Sequence, residues 1–356
     1  QTRSPAWFAG ALLSYLLAVL SKEHAVMTVG LAIPLYIHVS RPGWRKIGIL
    51  AACTLAVLCI AVTSMLHFYG DVIGQLFDAQ SQAFAQQLEA LKPGITHQIY
   101  PLSILNQAAL FFFYGLLWIV PYVGWMSIDI RPAFPMGLFS SWHVVGALGY
   151  VVMLVGAIWL LVRRSGVLSL VALLLLLPLL WFVTEFSTVW VQDPFVLYRS
   201  YLWGIALPGL LAIALTGFQP RVIYIFGIFV GTLLGALAIE RNLSLSEEVV
   251  TWTDAAEKTN LQAPANAVGR SRPFLNLGAY YIRKGLIDQA ERNIATAVAL
   301  NDRGELGSGA RFNSGVILQL KKNHVEALRS FDAAEALGYS QPGLYFHKAE
   351  SLAALG

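Results

Sequence analysis

Charged residues are scarce in this sequence. They make up 12% of the chain, about half of the roughly 25% usual in soluble domains, while hydrophobic residues make up 57%. So little charge is not typical of a soluble globular protein, so the composition predicts a membrane protein. The sequence also lacks a glycine-rich phosphate loop, an HExxH motif and a GxSxG motif, so it shows none of the common soluble-enzyme motifs.

Cysteine is limited to Cys53 and Cys59, both within one apolar run. Six residues apart on one helix, their Cα atoms would lie about 9 Å apart, too far for a disulfide. We interpret both as small apolar residues, so they give no information on the cellular compartment. The seven histidines do not cluster at metal-ligand spacing, and no divalent metal is indicated.

The few charges are unevenly distributed. Up to Arg241 there are 12 Lys+Arg and 8 Asp+Glu in 241 residues, whereas the last 115 residues carry 12 of each. This step predicts a polytopic membrane domain at 1–241, a connector at 242–270 and a soluble domain at 271–356. The net charge of +4 lies in the membrane part, where basic residues typically occupy cytoplasmic loops, so it does not indicate nucleic-acid binding.

Apolar segments of membrane-spanning character recur through the first domain, since a spanning helix needs about 20 mostly apolar residues. The candidates are 6–21, 24–39, 47–68, 105–125, 142–162, 166–189, 201–218 and 222–239. Three basic clusters are assigned to the cytoplasm, namely Arg41 with Arg45 and Lys46, Arg163 with Arg164, and Arg221. An even number of crossings must separate the first two clusters. Segment 105–125, interrupted by Pro121, is therefore interpreted as re-entrant or interfacial on the outer side.

This topology places four stretches on one outer face, namely 21–24, 69–104, 105–135 and 192–201. Within the second stretch, Phe77, Phe84, Leu88 and Leu91 recur at helical spacing. The pattern predicts an amphipathic helix over 72–91 that lies on the outer surface. The domain that follows Glu240 is expected on the same side.

The C-terminal sequence repeats like a helix-turn-helix array. The first unit carries the tetratricopeptide (TPR) signature positions Phe274, Leu277, Gly278, Tyr281, Gly285, Ala290, Ile294 and Ala297. A second unit carries Gly315, Leu318, Ala327, Phe331 and Ala334, and a third begins at Gly343. The 37 residues from Gly278 to Gly315 fit the 34-residue period with an insertion near 305–309. We predict about two and a half stacked units that bind peptides or proteins, in a fragment of a longer protein.

Polar residues at membrane depth are costly and indicate functional sites. The candidates are Lys22, Glu23, His24, Asp129, Arg131, Glu185, Asp193, Tyr198, Arg199 and Tyr201. An arginine at the outer surface can hold a phosphate by paired hydrogen bonds, so Arg199 suits a lipid-linked phosphate. The alternatives are a snorkelling anchor or a structural ion pair for Arg199, and an ion pair within the loop for Lys22 and Glu23.

Several short motifs resemble one family, the transmembrane and TPR repeat-containing O-mannosyltransferases and their bacterial relatives. The matching residues are Leu20–His24, similar to an (A/S)KE motif; Asn106, Gln107, Tyr114 and Pro121, similar to a Gln…Tyr…Pro segment; and Tyr198–Leu202, similar to a Glu-x-Arg-x-Tyr-Leu-Pro loop. TPR units follow the last membrane helix, as in that family. The acidic residue of the arginine loop is not matched, because Leu197 and Tyr198 stand there.

The resemblance implies an all-α GT-C glycosyltransferase fold followed by a TPR solenoid. Such enzymes transfer a sugar from a polyprenyl or dolichyl phosphate carrier to a protein hydroxyl on the periplasmic or lumenal side. Arg199 would contact the carrier phosphate, with Lys22, Glu23, Tyr201 and Gln107 in the same site. The catalytic acidic residue of these enzymes lies in a first outer loop without a counterpart here, so no catalytic residue is assigned.

Two other interpretations stay open. One is a non-enzymatic TPR membrane scaffold, and the other is an O-antigen ligase-like or polymerase-like enzyme. In each case we expect an integral membrane protein, in a bacterial inner membrane rather than the endoplasmic reticulum, with its repeats on the periplasmic or lumenal side. Its expected partners are membrane lipid, a polyprenyl-phosphate-linked sugar and a protein bound by the repeats.

Overall fold

A computed structural model describes residues 5–21, 23–69, 74–76, 78–139 and 141–356. Helices dominate these ranges, which contain no β-strand beyond a single isolated bridge between Ile130 and Phe195. The α-helices of the described chain are α1 (Pro5–Ser21), α2 (Ala32–Ser40), α3 (Trp44–Tyr69), α4 (Ala79–Leu91), α5 (Ile99–Ile119), α6 (Ser141–Arg163), α7 (Gly166–Phe182), α8 (Leu207–Ala214), α9 (Pro220–Ser244), α10 (Glu248–Glu257), α11 (Arg272–Arg283), α12 (Ile287–Leu300), α13 (Glu305–Leu320), α14 (His324–Ala336) and α15 (Pro342–Leu355). The expected all-α class is confirmed.

Five helical segments of the described chain are long and apolar enough to cross a membrane. They are Ile95–Ile119, Trp142–Arg163, Gly166–Phe186, Leu197–Ala214 and Pro220–Ser244, and the shorter apolar helices Ala9–Ser21 and Met27–Ser40 precede them. Helices satisfy their own backbone hydrogen bonds, which is the requirement for spanning a hydrocarbon layer. The fold is therefore compatible with an integral membrane protein.

Several predicted segments differ from the structure in their boundaries. The segment 24–39 begins as a 3₁₀ helix, Glu23–Leu31, and becomes α-helical only at Ala32. The segment 201–218 is 3₁₀-helical up to Ala206, and α8 begins at Leu207, followed by a proline in its first turn. The segment 166–189 ends earlier, because α7 stops at Phe182. Counting apolar residues finds apolar runs but does not show where the backbone tightens.

Two of the three basic clusters, at Arg41 and at Arg163 with Arg164, meet at one end of the helices. The Nη1 atom of Arg41 donates to the carbonyl oxygen of Leu161 at 2.9 Å and also to that of Arg164. The guanidinium group of Arg163 lies 4.8 Å from the ring centre of Trp44. This end of α2, α3, α6 and α7 is thus held together by residues of these two clusters, and their cytoplasmic location stays a prediction.

Helix α5 is continuous, whereas the sequence suggested a segment interrupted at Pro121. It runs for 21 residues and ends at Ile119, two residues before the proline. The residue before a proline disfavours helical geometry, so Pro121 terminates the helix rather than breaking it. At a rise of about 1.5 Å per residue the helix is about 32 Å long, which is sufficient for a crossing by length alone.

The chain on both sides of α5 contacts the same later stretch of sequence, and whether the segment crosses the membrane or re-enters stays open. Ile95 and Ile99 pack in a cluster with Val268. On the other side, the carbonyl oxygen of Met126 accepts hydrogen bonds from Arg241 at 2.9 Å and Lys258 at 2.8 Å. The chain from Val120 to Met126 has six residue steps and reaches at most about 20 Å, less than the roughly 30 Å hydrocarbon core. Both flanks of α5 therefore dock near the same stretch of chain, 241–268.

Helix α4 corrects the expectation of an amphipathic helix lying on the membrane surface. The described part of that segment is helical only over Ala79–Leu91, and Phe77 lies outside the described residues. Phe84 and Leu88 are fully buried and pack with Phe134 and Val268 of the same chain. The apolar face of α4 is therefore covered by protein. Leu91, at the end of the helix, is exposed.

The C-terminal helices form two consecutive hairpins, α11–α12 and α13–α14, followed by α15. In each hairpin a glycine of the first helix lies against a buried side chain of the second, sixteen positions later. The pairs are Gly278 with Ile294 and Gly315 with Phe331. Helix α13 has 16 residues against 12 in α11, which places the predicted insertion near 305–309 in its first turn. The repetition is observed, while its assignment to the TPR class stays a prediction.

Candidate functional site

Arg199 lies in a 3₁₀ helix, Leu197–Tyr201, at the end of a loop that follows α7. Its side chain is 10% exposed, and its Nη1 atom lies 3.5 Å from Oε2 of Glu185 and donates to the carbonyl oxygen of Asp193 at 3.2 Å. The guanidinium carbon lies 3.7 Å from the ring centre of Trp190, which is a cation–π contact. The Arg199 guanidinium is thus contacted on one face by Trp190 and at Nη1 by Glu185 and Asp193.

The remaining edge of this guanidinium group is unused. The hydrogen bonds and ion pairs recorded between Arg199 and the described residues all use Nη1. Nε and Nη2 have no partner in that part of the chain, and they are absent from the fully buried unpaired atoms, so they keep some contact with the exterior. These two nitrogens form the edge with which an arginine binds two oxygens of a phosphate or carboxylate.

Glu185 is buried in a 3₁₀ helix, Val183–Phe186, directly after α7. This turn lies beside the backbone of another 3₁₀ helix, Glu23–Leu31. Nearby, Trp181 Nε1 donates to Thr28 Oγ1 at 3.1 Å. The 3₁₀ helix that begins at Glu23 is therefore close in space to the turn that carries Glu185. Lys22 and the side chains of Glu23 and His24 lie outside the described part of the structure.

Asp129, Arg131 and Asp193 form a second cluster beside Arg199. Arg131 Nη2 lies 2.6 Å from Asp129 Oδ1 and 3.5 Å from Asp193 Oδ1, and Arg131 Nη1 donates to the carbonyl oxygen of Gln192. Arg272, at the start of α11, donates to Asp193 Oδ1 at 2.9 Å. Two arginines and two aspartates thus connect the loop before Arg199 to the first C-terminal hairpin. Asp129 and Arg131, both singled out from the sequence, thus form a buried ion pair with each other.

Polar side chains of α5 fix the loop that carries Arg199. Gln107 Nε2 donates to the carbonyl oxygen of Pro194 at 2.7 Å. The Tyr114 hydroxyl donates to the carbonyl oxygen of Val196 at 3.1 Å and accepts from its N–H at 3.0 Å. Further along α5, Trp118 Nε1 donates to Ser200 Oγ at 3.2 Å. Gln107 therefore positions the loop from behind, and these contacts do not place it at the free edge of Arg199.

The two tyrosines beside Arg199 are exposed. Tyr198 and Tyr201 show 67% and 68% of their surface, so the prediction that Tyr201 lines the site has no support in this structure. Sequence reasoning missed Trp190 and Arg272, which contact Arg199 and Asp193 respectively. Trp190 stands in the same loop nine residues before Arg199, but only the folded chain shows the stacking. Arg272 belongs to the repeat region, where nothing in the sequence pointed to an ion pair.

No group of three histidine, cysteine, aspartate or glutamate side chains in the described ranges is placed to hold a metal ion. Comparison with known proteins gives no match to any family model, curated protein or solved structure. The chemistry of the site is therefore argued from its own residues.

Proposed function

We propose that this protein is a membrane glycosyltransferase that uses a sugar carried on a polyprenyl or dolichyl phosphate. The resemblance in short motifs suggests this class, and the protein acceptor and the periplasmic or lumenal side are part of the same proposal. The observation that carries it is the arrangement of Arg199, whose Nε and Nη2 are free among the described residues beside a region of apolar helices.

Arg199 suits a phosphate at a membrane surface for physical reasons. A phosphate diester offers two unesterified oxygens in the geometry of the guanidinium edge. The Trp190 ring under the guanidinium and the Asp193 carbonyl at Nη1 fix the plane of that edge. Glu185 lowers the net charge, so the site tolerates partial burial when no anion is bound. A fixed cation of this kind stabilises the charge that develops on a departing carrier phosphate.

The proposal assigns Arg199 to donor binding and to stabilisation of the leaving group. Lys22 and Glu23 are assigned to the site by the resemblance alone, and Gln107 holds the loop in place. No catalytic base is assigned. The C-terminal hairpins, taken as TPR repeats, would present a protein acceptor, and the ion pair of Arg272 with Asp193 would keep that acceptor near the donor site.

The test is direct binding of a lipid phosphate. The chain is reconstituted in lipid nanodiscs that contain a polyprenyl phosphate, and retained lipid is quantified by native mass spectrometry. A hydrogen bond to a charged group contributes about 1.5–3 kcal/mol, so Arg199→Ala is expected to weaken retention by about 10- to 100-fold. Arg199→Lys keeps the charge but loses the paired geometry, and should give an intermediate value.

The controls use the same chain and the same lipid scaffold. Polyprenol, which lacks the phosphate, should show no difference between the wild type and Arg199→Ala. Arg283→Ala removes an exposed arginine that pairs with Glu248 in the C-terminal part, and it should retain the lipid phosphate as the wild type does. Equal retention of polyprenyl phosphate by the wild type and Arg199→Ala would refute the assignment of Arg199.

A further inference from the structure

A cavity of about 360 Å³ lies at the end of the helices where Arg41 and Arg163 meet. Both arginines line it, and so does Trp44 at the start of α3. Apolar side chains from α2, α3 and α6 also line it, namely Ile37, Ile47 and Val162. Its volume falls within the range of small-molecule sites in proteins. None of these lining residues belongs to the proposed donor site, so the two sites are separate.

The charged residues around this cavity are all basic. They are Arg41, Arg45, Lys46, Arg163 and Arg164, which lie at or beside the helix ends. The helices α2, α3, α6 and α7 and the turns 41–43 and 164–165 contain no aspartate or glutamate. The Arg41 guanidinium donates to two main-chain carbonyl oxygens, which do not neutralise its charge. No carboxylate of the described chain pairs with these five side chains, so together they attract an anionic group.

The cavity lies where a membrane surface would meet these helices. The apolar segment Trp142–Arg163 has 22 residues and, at about 1.5 Å per residue, is about 33 Å long, close to the roughly 30 Å hydrocarbon core. A spanning α6 therefore places Arg163 at the level of the lipid head groups. Trp44 is 60% exposed, and tryptophan is enriched at this depth in membrane proteins. The Arg163 guanidinium carbon lies 4.8 Å from the Trp44 ring centre, and this contact holds the cation beside the cavity.

We infer that this cavity binds the head group of an anionic phospholipid. The lipid phosphate would face Arg41 and Arg163, because a guanidinium group can bind two phosphate oxygens at once. Basic pockets between membrane helices bind anionic head groups in this way. The acyl chains would cover exposed apolar side chains further along α3, among them Ile49 and Leu55. A soluble phosphate would leave that apolar surface uncovered, so the chemistry of the wall favours a lipid. This inference does not depend on the transferase activity or on phosphate binding by Arg199.

The experiment measures lipid retention by the full chain. The protein is reconstituted in phosphatidylcholine nanodiscs that contain a minor fraction of phosphatidylglycerol, and bound lipid is quantified by native mass spectrometry. The wild type is expected to retain phosphatidylglycerol in preference to phosphatidylcholine, because only phosphatidylglycerol carries a net negative charge. Glycerol 3-phosphate and inorganic phosphate, added as competitors, should not displace it, because they lack the acyl chains that cover the apolar surface.

Arg163→Gln removes one cation from the cavity and should lower the retention of phosphatidylglycerol by about fivefold. Arg221→Gln is the matched control, because it removes the same charge from another exposed arginine of the membrane part that does not line the cavity. It should retain the lipid as the wild type does. Gly43→Trp leaves the charge unchanged and adds a bulky ring at a residue that lines the cavity, where a Cβ atom would meet nothing within 4 Å. It should also lower the retention.

Three results would overturn the inference. Equal retention of phosphatidylglycerol by the wild type and Arg163→Gln would show that this arginine does not hold the lipid. Equal losses in Arg163→Gln and Arg221→Gln would assign the attraction to the basic surface as a whole. Displacement by glycerol 3-phosphate or inorganic phosphate would identify a site for soluble phosphates. Arg163 and Gly43 are both exposed, and Gly43→Trp decides independently if Arg163→Gln does not yield a monodisperse protein, since wild-type retention by Gly43→Trp would place the lipid outside the cavity.

Discussion

The packing of the first C-terminal hairpin depends on the missing side chain at Gly278. A Cβ atom built there would lie 2.3 Å from Ile294 Cδ1 and 2.4 Å from Ile294 Cγ1, far inside contact distance. Ile294 is 2% exposed and cannot swing into solvent. Overpacking of this kind costs about 1–3 kcal/mol, while replacing a helical glycine by alanine gains about 1 kcal/mol. Gly278→Ala should therefore destabilise the hairpin by up to about 2 kcal/mol.

Gly309 in α13 provides a matched control within the same repeat region. A Cβ atom at Gly309 would meet Leu275 at 3.6 Å, an ordinary contact. Gly309→Ala should therefore stabilise its hairpin by up to about 1 kcal/mol, opposite in sign to Gly278→Ala. The assay is hydrogen–deuterium exchange of the amides in 272–300 and 305–336, read as opening free energies against the wild type. The two variants should differ by about 5- to 100-fold in exchange rate.

A second substitution tests the cause of the effect. Ile294→Val removes Cδ1, one of the two atoms closest to the new Cβ, so the double variant Gly278→Ala with Ile294→Val should lose less protection than the two single changes predict together. If Gly278→Ala protects the hairpin as Gly309→Ala does, or if the valine gives no relief, the close approach of the two helices does not explain the glycine.

Two further predictions concern the junction between the membrane helices and the C-terminal helices. Burial raises the pKa of Asp254, but hydrogen bonds from Arg241 and Lys258 outweigh it and hold this pKa below its ordinary value. The charged form of Asp254 therefore stabilises the fold above the unfolded pKa of about 3.9, and this stabilisation is lost as pH falls through the lower folded pKa. Hydrogen–deuterium exchange of the amides in 248–257 should accordingly accelerate below about pH 4 in the wild type. The Asp254→Asn variant should lack this pH dependence. Arg272→Ala removes the hydrogen bond to Asp193 from a side chain that is 29% exposed, so the stability of the junction should fall by about 1 kcal/mol. Limited proteolysis should then cleave the segment 258–271 faster than in the wild type. An unchanged cleavage rate would show that this ion pair does not hold the junction.

Helical character and the sites of buried small residues could be predicted from the sequence, because both follow from local pattern. Gly278, Ala290 and Ala297 lie at helix contacts in the structure as their spacing suggested. The alternation of apolar segments also gave a chain of apolar helices, five of them of spanning length in the described part. The predicted helix boundaries are wrong where 3₁₀ turns replace α-helix, because such turns depend on tertiary contacts rather than on composition.

The site could be predicted only in part. Arg199, Glu185 and Asp193 were singled out because buried charge is costly, and the structure brings them together. The stacking of Trp190 and the ion pair to Arg272 were not foreseen, because they join residues from separate elements and a single sequence carries no signal for such contacts. Tyr201 was assigned to the site by the resemblance of its loop, and that assignment stays a prediction for a side chain that is exposed in this structure.

The loop 188–200 is fastened to α5 at several points along the helix, from Ser103 and Gln107 near its first half to Tyr114 and Trp118 near its end. We therefore expect the helix and the loop to move together as one rigid unit. A partner or lipid that tilted α5 would carry the Arg199 guanidinium with it by a comparable distance, without any hinge between them. Conversely, an anion bound to Arg199 would restrain the tilt of α5. Anion binding would then also affect Met126 and its contacts with Arg241 and Lys258.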